Sequence, residues 1–484
     1  MPSYEQKRER ASALYEQGRE AVVNYIVELE TKLEQMDERL KRLEAILHQD
    51  SHNSSQPPSN DKNKKYRTPA RIKSNRTSGG QSGHKGTTLK RVAKADTIIE
   101  HKVSNCSHCG KSLKTIEPDS VSSHQVIDIP PMQQIVTEHR VEEKSCPSCH
   151  HVTQASFPAD VTKSVQYGKQ IKSIATYLMQ YQLVPAERTT ELLEELFSCS
   201  VSQGSLFLWM HELAEKTTTA YNAIKKEVTH SPVVHTDETG VPCEKHNYWL
   251  HVVSTLTATY YAIHKKRGKE AMDDIGILPE FSGIAVHDMW ASYFRYPRFR
   301  NGVCNAHIIR ELTFVEEEYK QRWAKKLKAQ LLQMNGVVER ARSAGRTTLE
   351  KRTLMKYRSV YDNLITIGLR KNPRLRGSPQ MRGRTKQSKV RNLLERLRIH
   401  ADSVLLYIHD FRVPFTNNQA ERDIRMFKVK NKISGCFRSV LNAQMFCSIR
   451  SYISTARKNG ISAFAAVVSA FYGQPFIPKN NYAE

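Results

Sequence analysis

A multidomain α+β chain is what this sequence predicts, and three observations carry the prediction. Apolar residues near the N-terminus fall in an unbroken 4-3-4-3 spacing, two C-x2-C pairs bracket a strand-like stretch, and farther on two apolar runs each end in an aspartate. The 484 residues exceed what one hydrophobic core usually organises. Lysine plus arginine number 74 against 49 acids, a formal net charge of +25, and that excess calls for a polyanionic partner, nucleic acid before an anionic membrane surface. No run of about 18 apolar residues is present to span a bilayer. Met1-Pro2-Ser3 opens no apolar secretory core, so a cytoplasmic, nucleoid-associated chain without a membrane partner is expected. Four of the nine cysteines sit in the tight pairs, which in a reducing compartment points to metal ligation more than to disulfides.

The elements follow in order. Within residues 1–50, Val22, Ile26, Leu29, Leu33, Met36, Leu40, Leu43 and Leu47 form a coiled-coil seam. Such spacing favours helix pairing between chains, at least a dimer through residues 22–47, the alternative being a helix folded back on its own core. Residues 51–100 are rich in Ser, Asn, Pro, Gly, Lys and Arg and read as a flexible basic linker whose cations either track phosphates or are simply solvated. Residues 101–160 hold Cys106, Cys109, Cys146 and Cys149 around the strand-like Gln125–Val141, the sulfur set of a structural zinc ribbon. His101, His108 and His150 lie close enough to substitute as ligands. Residues 161–230 are helical in pattern, and Ala186–Phe197, the Ser198-Cys199-Ser200 turn and Ser202–Leu213 read either as a DNA-binding helix-turn-helix or as part of a plain bundle.

Residues 231–445 carry the chemistry. Pro232–Asp237 reads as a buried strand delivering Asp237 to its end, Tyr248–Thr255 and Thr257–His264 as hairpin-like neighbours, Gly268–Ile277 as a helix, and Ser282–Asp288 as a second strand ending in an acid. After the Asn417-Asn418 start signal, helical spacing places Glu421, Arg425, Lys428 and Lys432 on one face. Three carboxylates, Asp237, Asp288 and Glu421, suit two divalent ions roughly 3.5–4 Å apart for phosphodiester chemistry, with the cations steering a DNA backbone. Composition alone leaves Glu238 and Asp423 as alternatives, and His235 and His287 as packed or supporting histidines, since magnesium prefers oxygen.

Leu312–Ser403 is a helical, charged insertion of about 312–405. From Arg370 to Arg398 it has eleven basic residues against one acid, Glu395, and Gly377, Pro379 and Gly383 break it into a DNA-facing loop. Cys304 and His307 form a C-x2-H pair without a second pair, so a core or DNA-positioning role ranks before zinc; Arg310 shares that segment, and Arg438 is a candidate phosphate contact. Residues 446–484 close the chain as helices.

The stretches NSSQPPS and GGQSGHKGT, the paired C-x2-C knuckles, HTDETG, HDMWASY, CNAHIIREL and NNQAERDIRMFKVKNKISGCFRS span nearly the whole chain. In them the sequence resembles the insertion-sequence 66 family of bacterial transposases. The resemblance implies a ribonuclease-H-like catalytic fold whose two aspartates and glutamate match Asp237, Asp288 and Glu421, with an insertion before the glutamate. It also implies Mg2+ or Mn2+ at the active site, element ends and target DNA as partners, and small accessory proteins encoded nearby. Rival expectations are a related metal-dependent nuclease that cleaves without joining, and a zinc-ribbon DNA-binding protein without catalysis, a regulator or transposase remnant.

Overall fold

The computed structural model describes residues 3–50, 52–54, 89–130, 132–375 and 385–479. Most of the expected linker and the loop containing Gly377, Pro379 and Gly383 therefore lie outside the described residues.

Two helices open the chain. Helix α1 (Tyr4–Glu16) starts at Ser3, whose hydroxyl accepts from the Gln6 amide while the Gln6 side chain returns to the Ser3 amide, a reciprocal cap. Helix α2 (Arg19–Leu47) carries the 4-3-4-3 stripe, and Ile26, Leu29, Leu33, Met36, Leu40, Leu43 and Leu47 all stand exposed on it. The stripe is thus not buried within one chain. Beyond its end, His48 Nδ1 lies 2.9 Å from Glu318 and His52 Nε2 3.3 Å from Glu317.

In the zinc-ribbon region the strand expected over Gln125–Val141 does not form among the described residues. Val126 and Ile135 are exposed there, and an extended segment with no ladder partner has nothing to hold it as a strand. The pairing occurs instead between the arms of the second knuckle, β1 (Glu143–Ser145) and β2 (Val152–Gln154), antiparallel.

Helices α3 (Lys169–Gln180), α4 (Ala186–Phe197), α5 (Gln203–Lys216) and α6 (Thr218–His230) follow. Ser198 at φ +51 ends α4 in the left-handed turn, and the Ser202 hydroxyl caps α5 by accepting from the Ser205 amide. The apolar face of α5, Leu206, Trp209, Met210 and Leu213, is buried in a core shared with Ile449, Tyr452, Ile453 and Val467 from the C-terminal helices. The 161–230 region and the C-terminal helices, read separately from sequence, share one core.

A five-stranded mixed sheet follows, in the order β5-β4-β3-β6-β7. Strands β3 (Val233–Cys243), β4 (His246–Ser254) and β5 (Thr259–His264) are antiparallel. After α7 (Lys269–Ile275), β6 (Ile284–His287) pairs parallel with β3, and β7 (Arg300–Val303) parallel with β6. Gly283 permits this approach, because a Cβ there would sit 2.6 Å from the Pro232 carbonyl oxygen. One sheet face packs Val234, Val253 and Tyr260 against Ile224 and Val228 of α6 and Met272 of α7. The other packs Val241, Leu250 and Val252 against α14 (Asn418–Ser434) and α15 (Val440–Lys458), through Ala420, Ile424, Phe427 and Phe446.

Between β7 and α14 the insertion forms α8 (Asn305–Tyr319), α9 (Arg322–Ser343), α10 (Lys351–Lys371), α11 (Lys389–Ile399), α12 (Ala401–Val404) and α13 (Leu406–His409) around Trp323, Leu331, Tyr361 and Leu394. The single acid of its basic stretch, Glu395, ties the insertion together by accepting from Arg374 at 2.8 Å and Arg391 at 3.0 Å. Helix α16 (Ala463–Phe471) ends the fold, and among the described residues no helix is long and apolar enough to cross a membrane.

Candidate active site

Alternation along the strands sets which side chains can meet. Asp237 shares parity with Val241 and so points to the α14 face, while Asp288 follows the end of β6 with the parity of Ile284 and Val286, on that same face. Asp237 is not at a strand end as expected. The strand β3 continues to Cys243 because its second half pairs with β4; what ends near Asp237 is the parallel pairing with β6, whose last partners are His235 and Val286.

Glu421 reaches this face from the first turn of α14. The Asn417-Asn418 start signal sits where the helix starts, but for a different reason from side-chain capping. The Asn417 side chain makes no cap hydrogen bond; its Nδ2 donates to the Thr236 carbonyl at 2.8 Å and its Oδ1 accepts from His235 Nδ1 at 2.9 Å. The Asn417 amide donates to Cys304 Sγ at 3.1 Å. One asparagine thereby staples α14 to β3 and to the start of α8.

The turn after Asp288 is equally constrained. Met289 adopts φ +71, a left-handed conformation costing roughly 1–3 kcal/mol in a non-glycine residue. Its amide donates to His287 Nδ1 at 3.1 Å, which leaves His287 Nε2 to donate to Asn301 at 2.9 Å. His287 is fully buried, stacks on Tyr293 at 4.4 Å, and burial lowers its pKa to about 4, so the ring is neutral. The Trp290 amide donates to Asp288 Oδ1 at 3.1 Å. Both histidines beside the aspartates are packed supports.

The charges are crowded. Burial, then the neighbouring Glu238, Asp288 and Glu421, raises the Asp237 pKa to about 8. A buried carboxylate raised by neighbouring acids is an electrostatic signature of a cation site. The alternatives Glu238 and Asp423 have other partners. Glu238 is buried, accepts from Arg267 Nε and Nη2 at 2.9 and 2.7 Å and from the Tyr293 hydroxyl at 2.6 Å. Asp423 pairs with Lys458 at 2.8 Å and accepts from the Thr259 hydroxyl at 3.1 Å.

Sequence reasoning missed Arg267. Its guanidinium lies over Trp249 at 4.9 Å and Trp290 at 4.3 Å, so two tryptophans hold the cation that neutralises Glu238 next to Asp237. The signal available was a pair of tryptophans near the two aspartates, too common a pattern to act on. Arg267→Ala is expected to lower activity about 10- to 100-fold while leaving DNA affinity unchanged, because it unsettles the packing beside Asp237 and not the exposed cations of α14. Parallel titrations of DNA binding and turnover check this.

Of the cations expected on DNA, Arg425, Lys428 and Lys432 are exposed along α14, and Arg438 is exposed in the segment before α15. Arg310 is half-buried one turn beyond His307 on α8. Arg391, by contrast, is tied internally, donating to the Leu369 and Asn372 carbonyls.

The two cysteine pairs fold as matching knuckles. The Cys106 amide donates to the Lys111 carbonyl and the Gly110 amide to the Cys106 carbonyl; Cys146, His151 and His150 repeat the pattern. Gly110 and His150 both take positive φ at the same step of the turn. Amides of Cys109 and His108 hold the Cys106 thiol below its ordinary pKa, and those of Cys149 and Ser148 do the same for Cys146. Those N–H groups favour thiolate, the form zinc takes. Among the described residues the four sulfurs are not gathered into one set, nor do Asp237, Asp288 and Glu421 close on one another within 4.8 Å; the group that does is Cys304, His307 and Glu421.

Residues 164–445 match the sequence profile described as Transposase IS66 family. The chain belongs to that family. Residues 104–150 match the zinc-finger binding domain of transposase IS66, which makes the two knuckles one zinc-finger domain of this IS66-family chain. Residues 2–90 match a family of unknown function. No curated protein matches the chain. Family membership gives the chain a transposase role and DNA as its partner.

Proposed function

We propose that this IS66-family chain catalyses cleavage at the ends of a mobile element and joins them to target DNA, using Asp237, Asp288 and Glu421 in a ribonuclease-H-like domain spanning residues 231–445. The observation that carries the reading is the convergence of those three carboxylates on one face of the β5-β4-β3-β6-β7 sheet, with Asp237 held far above its ordinary pKa. The strand order, three antiparallel strands followed by two parallel ones, supports the fold assignment.

Two Mg2+ or Mn2+ ions bound there would activate the attacking oxygen and stabilise the leaving one. The residues present fit such ions: the carboxylates are oxygen donors, and the burial and neighbouring acids that raise Asp237 are relieved by a cation. The chain's own contribution is positional. Asn417 holds Glu421 over β3, the Trp290 amide sets the Asp288 carboxylate, and Arg267 neutralises Glu238 while the Tyr293 hydroxyl donates to it. Arg425, Lys428 and Lys432 then line the approach to Glu421 with positive charge for the phosphate backbone. No side-chain nucleophile is used. Incubating the chain with duplex that carries element ends should yield free 3′ hydroxyl ends and joined products with no protein–DNA adduct, whereas a covalent adduct would point to a serine or tyrosine recombinase.

The zinc finger and the α4–α5 helix pair are assigned to reading of terminal sequence, and the exposed α2 stripe to a coiled coil between copies. Deleting residues 1–48 is expected to lower the assembly state, read as mass per particle by light scattering. An unchanged mass, scaled for length, would remove the coiled coil.

A further inference from the structure

The Cys304–His307 pair lacks a second pair in sequence, and the fold supplies a third donor from elsewhere. Cys304 stands at the start of α8, fully buried, and His307 follows one turn later. Glu421 comes from α14, and Cys304 Sγ, a ring nitrogen of His307 and a carboxylate oxygen of Glu421 all lie within 4.8 Å of one another. His307 Nδ1 and Glu421 Oε1 are both buried, have no hydrogen-bond partner and face each other at 3.9 Å. That distance is too long for a hydrogen bond, so both atoms are left unsatisfied. Two unpartnered atoms aimed at one gap, beside a thiol, are what a coordinating cation would resolve.

A second observation is independent of that gap. Cys304 Sγ, fully buried, accepts from the Asn417 amide at 3.1 Å, so the start of α14, the helix that carries Glu421, is tied directly to this sulfur. The sulfur, the imidazole and the carboxylate are thus held in one place by α8 and α14 together. Burial raises the Cys304 pKa to about 11, so an ion binding there would have to displace the thiol proton. A sulfur, an imidazole nitrogen and one carboxylate oxygen form a borderline donor set, suited to zinc and poorly suited to magnesium.

We propose that Cys304 Sγ, His307 Nδ1 and Glu421 Oε1 form a binding site for a borderline divalent transition ion of the zinc class, distinct from the zinc finger and set behind the active-site carboxylate. The ion would fix one oxygen of Glu421 and leave the other to the sheet face carrying Asp237 and Asp288. The site shares Glu421 with the magnesium reading above but stands on Cys304 and His307, and it holds whether or not that reading does.

The test is zinc content of the full chain by mass spectrometry, with cobalt substitution as the spectroscopic check. Wild type is expected to carry about two zinc ions per chain, Cys146→Ser about one, and Cys146→Ser with Cys304→Ser none. His307→Gln, at a partly exposed ring, provides a milder variant if Cys304→Ser fails to fold, and should also lose one equivalent. In the cobalt form, Cys304→Ser should remove one share of the thiolate-to-cobalt charge-transfer absorbance. Asp288→Asn should leave the zinc count at its wild-type value, so loss of joining in that variant reports on the magnesium reading alone. A wild-type count of about one, or an equal count in wild type, Cys304→Ser and His307→Gln, would overturn the site and leave His307 a packing neighbour of Glu421.

Discussion

Asp237→Asn is expected to abolish cleavage and joining and, at the same time, to stabilise the metal-free protein. The activity loss should reach about a thousandfold, about 4 kcal/mol of transition-state stabilisation, because in the proposed mechanism Asp237 would hold the ions that carry most of the chemistry. The stability gain has a separate origin. Burial and three neighbouring acids raise the Asp237 pKa from 3.8 to about 8 in the folded chain. A group whose folded pKa lies above its unfolded value binds the proton more tightly when folded. Its contribution is therefore fully present below about pH 4 and is lost as pH rises towards 8. Metal-free wild type should accordingly lose thermal stability across that window, and the asparagine variant should lose less, melting a few °C higher at pH 8. Magnesium should raise the melting temperature of the wild type and do little for the variant. Calorimetry at pH 5 and 8, with and without magnesium, reads all of this, and a variant that melts lower than wild type at pH 8 without metal would mean that Asp237 is not under charge strain.

Cys146→Ser has the other large expected effect. Structural zinc in small cysteine domains contributes about 10–16 kcal/mol of apparent binding free energy at neutral pH, and such domains have little core without it. That description fits here: Val126, Ile129, Ile135 and Val136 are exposed, and the short β1–β2 pair has no buried residue. The variant should lose about one zinc per chain and become susceptible to proteolysis within residues 101–155. The sheet and helices from Lys169 onward have their own cores and should melt as in the wild type. Protection of residues 101–155 equal to wild type after zinc loss would show that metal does not hold this domain together.

Much of this arrangement was legible from residue patterns because single, local signals dominate it. The apolar runs before Asp237 and Asp288 became β3 and β6, the aromatic and β-branched stretches became β4 and β5, and the insertion is helical as its periodicity suggested. The misses come from partners distant in sequence. Strand β3 runs past Asp237 because its second half, which has no apolar run of its own, pairs with β4. Gln125–Val141 has strand-like composition but no ladder partner among the described residues, so it forms no strand there. Asn417 reads as a helix-start residue, yet its side-chain amide is spent on His235 and Thr236, which sequence places far upstream. The C-x2-H pair looked incomplete for the same reason: its third donor, Glu421, arrives from α14, and only folding brings the two together. Arg267 offered no motif at all, since its meaning lies in Trp249, Trp290 and Glu238 around it.

The most direct test of the account is a joining reaction with labelled duplex that carries the DNA flanking this gene, in magnesium or manganese. Wild type is compared with Asp288→Asn at protein concentrations giving equal DNA binding. Joined products from the wild type and none from Asp288→Asn are the predicted result. Joined products of equal yield from both proteins would contradict it, because the chemistry would then not depend on the carboxylate that follows β6.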